Sequence, residues 1–133
     1  YLCEDDYLHY NNCLQHIKDF LNQYPDCVCH PVDYPNLYTG ENNQVSEIIL
    51  SKNWHWRSIK STTYTIAFTK KVFDKNYSIF TNINRSLFYD HIINLVYIST
   101  KCYSPVPSLT SHLECECLSP CIDTEKILKE NIC

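Results

Sequence analysis

Glycine is scarce in this chain and methionine is absent. Its 133 residues include one glycine, Gly40, and no methionine. Glycine takes the positive φ angles of tight hairpins more readily than any other residue. A β-sandwich with a single glycine would be unusual, so the composition favours helices joined by longer connections. Glycine-rich phosphate loops, dinucleotide fingerprints and the Gly-x-Ser-x-Gly turn of hydrolases are excluded.

Clustered basic charge and long apolar runs are also missing. Eleven basic and 15 acidic residues leave a formal charge of −4, and no basic tract is present, so nucleic acid is not expected as a ligand. The longest apolar stretches, such as residues 92–98, are too short to span a bilayer, so no membrane insertion is expected. Without an initiator methionine or an N-terminal apolar segment, the chain is predicted to be a mature secreted protein whose signal peptide has been removed.

Cysteine, in contrast, is abundant, with nine residues. This usage in a short chain predicts disulfide bonds formed in an oxidising compartment. A Cys-x-Cys triplet rarely closes on itself, so its two sulfurs are expected to reach different partners. Two triplets are therefore predicted to act as disulfide hubs, which comprise Cys27, Cys29, Cys115 and Cys117.

The remaining cysteines are assigned from their positions, although the pairing cannot be deduced from the sequence. Four are predicted to form other disulfides, namely Cys3, Cys13, Cys121 and Cys133. The odd number leaves one thiol over, and Cys102 is the predicted free or cross-linking thiol. The protein is therefore expected to be a monomer or a dimer linked through an odd cysteine.

The spacing of apolar residues predicts a helix-rich chain. The predicted helices span residues 13–24, 44–53, 86–100 and 123–132. Residues 62–73 fit either a helix or a strand, because Tyr64, Ile66 and Phe68 alternate while Ile59, Thr63 and Ile66 form a helical stripe. Since no partner strand with a good turn is obvious nearby, the helix is preferred there.

An internal repeat is suggested by a shift of 75 positions, which places His16 on His91 and Ile17 on Ile92. Each helix is followed by a Cys-x-Cys triplet, a proline and another predicted helix. This shared order predicts a duplication.

The predicted fold is one mainly α, disulfide-stapled domain that covers residues 1–133. It would be built from two pseudo-repeated halves, roughly residues 1–60 and 84–133, joined by residues 61–83.

The two triplets on a helix-rich chain resemble the bicycle family of aphid salivary effector proteins, which is named for two Cys-Tyr-Cys motifs. Val28 and Glu116 stand here where that family has tyrosine. The resemblance covers essentially the whole chain, and it implies secretion from salivary glands into a host plant and a role in gall induction. It carries over no catalytic residues. The spacing of Cys115, Cys117, Cys121 and Cys133 is also similar to the end of a GDNF-receptor-like helical module, which implies ligand binding.

Candidate chemistry is sparse. Cys27, Cys29 and His30 are adjacent, but no fourth ligand at a zinc spacing accompanies them, so neither a metal nor a cofactor is expected. His16 and His91 occupy matching helix positions and could form the acid–base pair of a small hydrolase or nuclease.

Two further patterns mark candidate surface sites. Trp54, Trp56 and Arg57 are possible interface residues, because tryptophan and arginine are favoured at interfaces; core packing of both indoles is the competing interpretation. Asn76 and Asn84 lie in Asn-x-Ser sequons and are possible N-glycosylation sites.

The predicted function is a secreted, non-enzymatic effector that binds a host plant macromolecule, with an unknown host protein as its partner. A receptor-like ligand-binding module and a histidine-dependent hydrolase or nuclease are the alternatives.

Overall fold

A computed structural model describes residues 1–39, 45–52, 54–81 and 92–131. The strands are β1 (Tyr7–His9), β2 (Val28–Cys29), β3 (Ile48–Ser51), β4 (Trp54–Ile59), β5 (Ala67–Phe68), β6 (Cys102–Val106) and β7 (Thr110–His112). The α-helices are α1 (Cys13–Gln23), α2 (Lys70–Lys75), α3 (Tyr77–Thr81) and α4 (Thr124–Asn131), and 3-10 helices span Pro35–Leu37, Asn94–Ile98 and Cys115–Cys117.

The described residues form a mixed α/β fold, so the prediction of a mainly α fold is wrong. One sheet has five strands in the order β3-β4-β6-β2-β5, and the other pairs β1 with β7. Strands β2 and β6 run parallel, and the other neighbours in both sheets are antiparallel. Strand β3 therefore lies at one edge of the larger sheet.

The hairpin of β3 and β4 explains the largest error, which is the helix predicted over residues 44–53. Lys52 has a φ angle of 48° in the turn, so a lysine occupies a conformation for which a glycine was expected. Scarce glycine therefore did not exclude hairpins. The apolar residues of the segment alternate along a strand, with Ile49 facing inward and Ile48 and Leu50 outward.

Two predicted helices are confirmed. Helix α1 begins at Cys13 and buries Cys13, Ile17 and Phe20, which recur at helical spacing along one face. Helix α4 begins at Thr124, where the Asp123 carboxylate accepts a hydrogen bond from the Lys126 N–H at 2.9 Å. Such capping satisfies a backbone donor that has no partner within the helix.

Two other predicted helices differ from the structure. Within residues 62–73, the first five residues form neither a helix nor a strand, β5 follows, and α2 then begins at Lys70. Thr69 caps α2 by accepting a hydrogen bond from the Val72 N–H. In the predicted helix 86–100, Ile92 and Ile93 are α-helical and Asn94–Ile98 forms a 3-10 helix, whereas residues 86–91 lie outside the described residues.

The five-stranded sheet is buried on both faces near its centre. On the first face, the ring centroids of Phe20 in α1 and Trp56 in β4 lie 4.1 Å apart. The second face has its own core, which comprises Val28, Ile59, Ile66, Val72, Ile93, Val96 and Cys102. Burial of each large apolar side chain contributes about 1.5–3 kcal/mol to folding. At β3 no described residue buries the second face, and Ile48 and Leu50 are exposed there.

The prediction of a disulfide-stapled domain is wrong for the described cysteines. Free thiols occur at Cys3, Cys13, Cys27, Cys29, Cys102, Cys115, Cys117 and Cys121, and Cys133 lies outside the described residues. Cys13, Cys29 and Cys102 are buried and pack as small apolar side chains. Burial raises the pKa of Cys13 to about 12 and also raises that of Cys29 and Cys102. These thiols are therefore protonated and unreactive in the folded protein.

The two Cys-x-Cys triplets, on which the predicted duplication partly depends, differ in the structure. Val28 and Cys29 of the first triplet form a strand, with Val28 facing one core and Cys29 the other. The second triplet, Cys115–Cys117, forms a 3-10 helix. The two triplets thus have different backbone conformations and are not equivalent hubs.

Candidate functional site

The two tryptophans predicted as interface residues lie in different environments. Trp56 is fully buried, so its indole cannot contact a partner in the folded protein. Trp54 is half-buried; its Nε1 donates a hydrogen bond to the Pro107 carbonyl oxygen at 2.7 Å, and its ring centroid lies 4.5 Å from that of His16. Both indoles therefore contribute to packing within the protein.

Arg57 forms a largely buried ion pair with Asp33. The Arg57 Nε donates to Asp33 Oδ1 at 3.0 Å, and the guanidinium carbon lies 4.2 Å from the ring centroid of Tyr38. The Tyr38 hydroxyl also donates to Asp33, whose side chain is fully buried. Burial raises the pKa of Asp33, although the hydrogen bonds from Tyr38 and Arg57 oppose this effect. The positive charge of Arg57 is therefore paired with Asp33 inside the fold.

The candidate glycosylation and catalytic residues are only partly described. Asn76 is buried, and its Nδ2 donates to the Val72 carbonyl oxygen at 2.9 Å and reaches the Thr100 hydroxyl at 3.3 Å. A glycan cannot occupy this side chain in the folded protein. Asn84 and His91 lie outside the described residues, so glycosylation at Asn84 and the pairing of His91 with His16 stay predictions.

The outer edge of β3 presents open backbone groups. Ser58 donates its N–H to the Glu47 carbonyl oxygen at 2.8 Å, which makes these two opposite residues a hydrogen-bonded pair. Because such pairs alternate along an antiparallel ladder, the backbone groups of Ile48 and Leu50 point away from β4. No described strand pairs with this edge.

The side chains beside this edge are apolar and exposed. The exposed fractions are 56% for Ile48 and 55% for Leu50, and Val45, just before the strand, is 95% exposed. Ile48 and Leu50 lie on the same face, since residues two apart in a strand share a face. An apolar edge strand with free backbone groups is a known template for pairing with another chain.

Residues at the end of helix α1 contact the last part of the same edge. The hydroxyl of Tyr24 donates to the Leu50 carbonyl oxygen at 2.8 Å, and Gln23 Nε2 reaches the same oxygen at 3.3 Å. Lys52 Nζ lies 2.6 Å from the Asp19 carboxylate. The open part of the edge is therefore confined to the backbone groups of Ile48 and the N–H of Leu50.

A second cluster lies where β7 leads into the 3-10 helix Cys115–Cys117. One ligand atom each from His112, Glu114 and Cys117 lies within 4.8 Å of the others, and no other such group occurs among the described residues. The Asp6 carboxylate lies 2.8 Å from His112 Nε2, whereas Nδ1 is buried and has no hydrogen-bond partner in the described structure.

The chain matches no protein-family model, no curated protein and no solved structure. No helix among the described residues is long and apolar enough to cross a membrane. Neither the edge of β3 nor the His112 cluster was identified from the sequence. The edge of β3 was missed because residues 44–53 were predicted to form a helix. The second is visible as three ligand types within six residues, His112-x-Glu114-x2-Cys117, but Cys117 was predicted to form a disulfide.

Proposed function

We propose that this protein acts by binding a partner protein without catalysis, and that β3 receives an extended segment of the partner as an additional strand. The observation that carries the proposal is the set of outward-pointing backbone groups that have no hydrogen-bond partner among the described residues, namely the N–H and carbonyl of Ile48 and the N–H of Leu50. Addition of a strand would give these groups hydrogen-bond partners, and pockets or apolar contacts for alternate side chains would provide specificity.

The exposed side chains indicate which segment would fit. Ile48 and Leu50 offer apolar surface on one face of the strand, so the incoming segment is expected to carry apolar residues at alternate positions. The neighbouring Arg57 is neutralised by Asp33, so a strongly charged segment gains little there. The resemblance to salivary effectors points to a host plant protein as the partner and to secretion of the chain; both remain predictions.

Matched lysine substitutions test the proposal. Leu50→Lys places a charge on the proposed surface, whereas Leu14→Lys makes the same change on helix α1, where Leu14 is 63% exposed. Each variant serves as bait in an extract of host plant tissue. We expect a protein recovered by the wild type and by Leu14→Lys to be lost with Leu50→Lys. Equal recovery by all three baits, or equal loss with both variants, contradicts the proposal.

A second copy of the chain could also pair with β3. The oligomeric state of the purified protein distinguishes such self-association from binding of a different protein. We expect the purified wild type to be a monomer in analytical ultracentrifugation under reducing conditions. A dimer that Leu50→Lys dissociates and Leu14→Lys preserves would show that β3 serves self-association instead.

A further inference from the structure

The cluster of His112, Glu114 and Cys117 combines three different metal-binding groups in a short segment. His112 ends β7, Glu114 precedes the 3-10 helix, and Cys117 ends that helix. The Cys117 N–H donates to the Glu114 carbonyl oxygen at 2.9 Å, which closes the turn and brings both side chains to one side. Cys117 Sγ lies 3.8 Å from Glu114 Oε2.

The imidazole of His112 is held in place before any ion binds. Tyr7 stacks on the ring with a centroid distance of 4.8 Å and an angle of 10°, and Tyr34 contacts it edge-on at 6.1 Å. Its side chain is only 13% exposed. With Nε2 bound to Asp6, the remaining ring nitrogen is Nδ1, which is buried and without a partner among the described residues. A metal-binding histidine commonly uses its second nitrogen to contact a carboxylate in this way.

The charge around the cluster favours a cation. Asp6, Glu114 and Glu116 form no ion pair with lysine or arginine among the described residues. A bound cation would offset the negative potential and displace the thiol proton to solvent.

We propose that Nδ1 of His112, a carboxylate oxygen of Glu114 and the thiolate of Cys117 bind one divalent ion of the zinc class, with Asp6 positioning the imidazole. A mixed set of nitrogen, oxygen and sulfur ligands suits Zn²⁺, which prefers four ligands. Three of them come from the protein, and water supplies the fourth. The site does not depend on the partner proposed for β3.

Cobalt binding tests the site, because a thiolate–Co²⁺ bond gives a charge-transfer absorption in the near ultraviolet. The full chain, reduced and freed of metal with a chelator, is titrated with Co²⁺ and then with Zn²⁺. We expect one equivalent of Co²⁺ to produce the band and Zn²⁺ to abolish it. Absence of the band at one equivalent overturns the proposal.

Neighbouring residues of the same type supply matched controls. Cys117→Ser should abolish the band, whereas Cys115→Ser, which changes an exposed thiol in the same 3-10 helix, should retain it. Glu114→Gln should weaken binding at least tenfold, and Glu116→Gln should change it less than about twofold. Asp6→Asn should weaken binding by about 10- to 100-fold while the band remains. Far-ultraviolet circular dichroism verifies the fold of each variant. Equal effects within either matched pair overturn the assignment.

Discussion

The hydroxyl of Tyr24 donates a hydrogen bond to the carbonyl oxygen of Leu50 at 2.8 Å. Tyr24 directly follows helix α1, so the end of the helix covers the last acceptor on the outer edge of β3. The N–H of Leu50 and the backbone groups of Ile48 have no hydrogen-bond partner within the described ranges. Helix α1 thus covers the edge at the Leu50 carbonyl, and the preceding part of β3 is where the partner strand is proposed to bind.

Removal of the Tyr24 hydroxyl is expected to weaken the attachment of α1 to the edge. Tyr24→Phe should lower the free energy of unfolding by about 0.5–1.5 kcal/mol, because one hydrogen bond to the Leu50 carbonyl is lost. Urea denaturation measures this change. Tyr77→Phe is the control, since Tyr77 is 57% exposed, and its effect should stay within about 0.5 kcal/mol. A loss of the same size in both variants would contradict the role assigned to Tyr24.

The ion pair of Arg57 and Asp33 is expected to be essential for stability. Arg57→Met should lower the free energy of unfolding by about 3–5 kcal/mol, because it leaves the buried Asp33 carboxylate without its cationic partner. Lys71→Met is the matched control: Lys71 lies 2.7 Å from Asp26, and both side chains are more than half exposed. Its loss should be below about 1 kcal/mol. Similar small losses in chemical denaturation would show that the Asp33 charge is not truly buried.

Stability is expected to fall in mild acid because of His30. The imidazole is fully buried, its Nδ1 lies 2.8 Å from the Thr65 carbonyl oxygen, and burial lowers its pKa to about 4, with a smaller effect from His112. In the unfolded chain the pKa is about 6.5, so below this pH the unfolded state takes up a proton that the folded state excludes. The contribution of His30 is therefore present above pH 6.5 and declines towards pH 4, by about 3 kcal/mol in total.

His30→Asn isolates this effect, because the asparagine amide can keep the hydrogen bond to Thr65 but does not titrate. Thermal or urea unfolding from pH 7 to pH 4 should show a smaller decline for the variant than for the wild type. Carboxylates affect both proteins alike, so the difference reports on His30. Parallel pH profiles would contradict the assignment.

Local patterns predicted α1 and α4 well, since the spacing of Cys13, Ile17 and Phe20 and the cap at Asp123 are contained in short segments. The sheet could not be obtained in this way. Strand β2 has two residues and thus no measurable period, and its parallel pairing of Val28 with Cys102 joins distant parts of the chain. The turn at Lys52 lacks the glycine on which sequence-based recognition of a hairpin depends.

The candidate sites divide in the same manner. That β3 lies at an edge follows only from the strand order of the sheet, in which no described strand pairs with its outer side. The partner of Arg57 lies 24 residues away in the sequence. The His112 cluster is local, so its spacing was available in the sequence. Its burial and the contact with Asp6, 106 residues distant, were not.

Amide hydrogen exchange of β3 in the complex is the most direct test of the proposed binding strand. The exchange of residues 48–50 is measured in the free protein and with the recovered partner bound. We predict that the amides of Ile48 and Leu50 exchange at least about tenfold more slowly in the complex, because they become hydrogen-bond donors to the added strand. Unchanged exchange at both amides, with protection confined to other surfaces, would contradict the account.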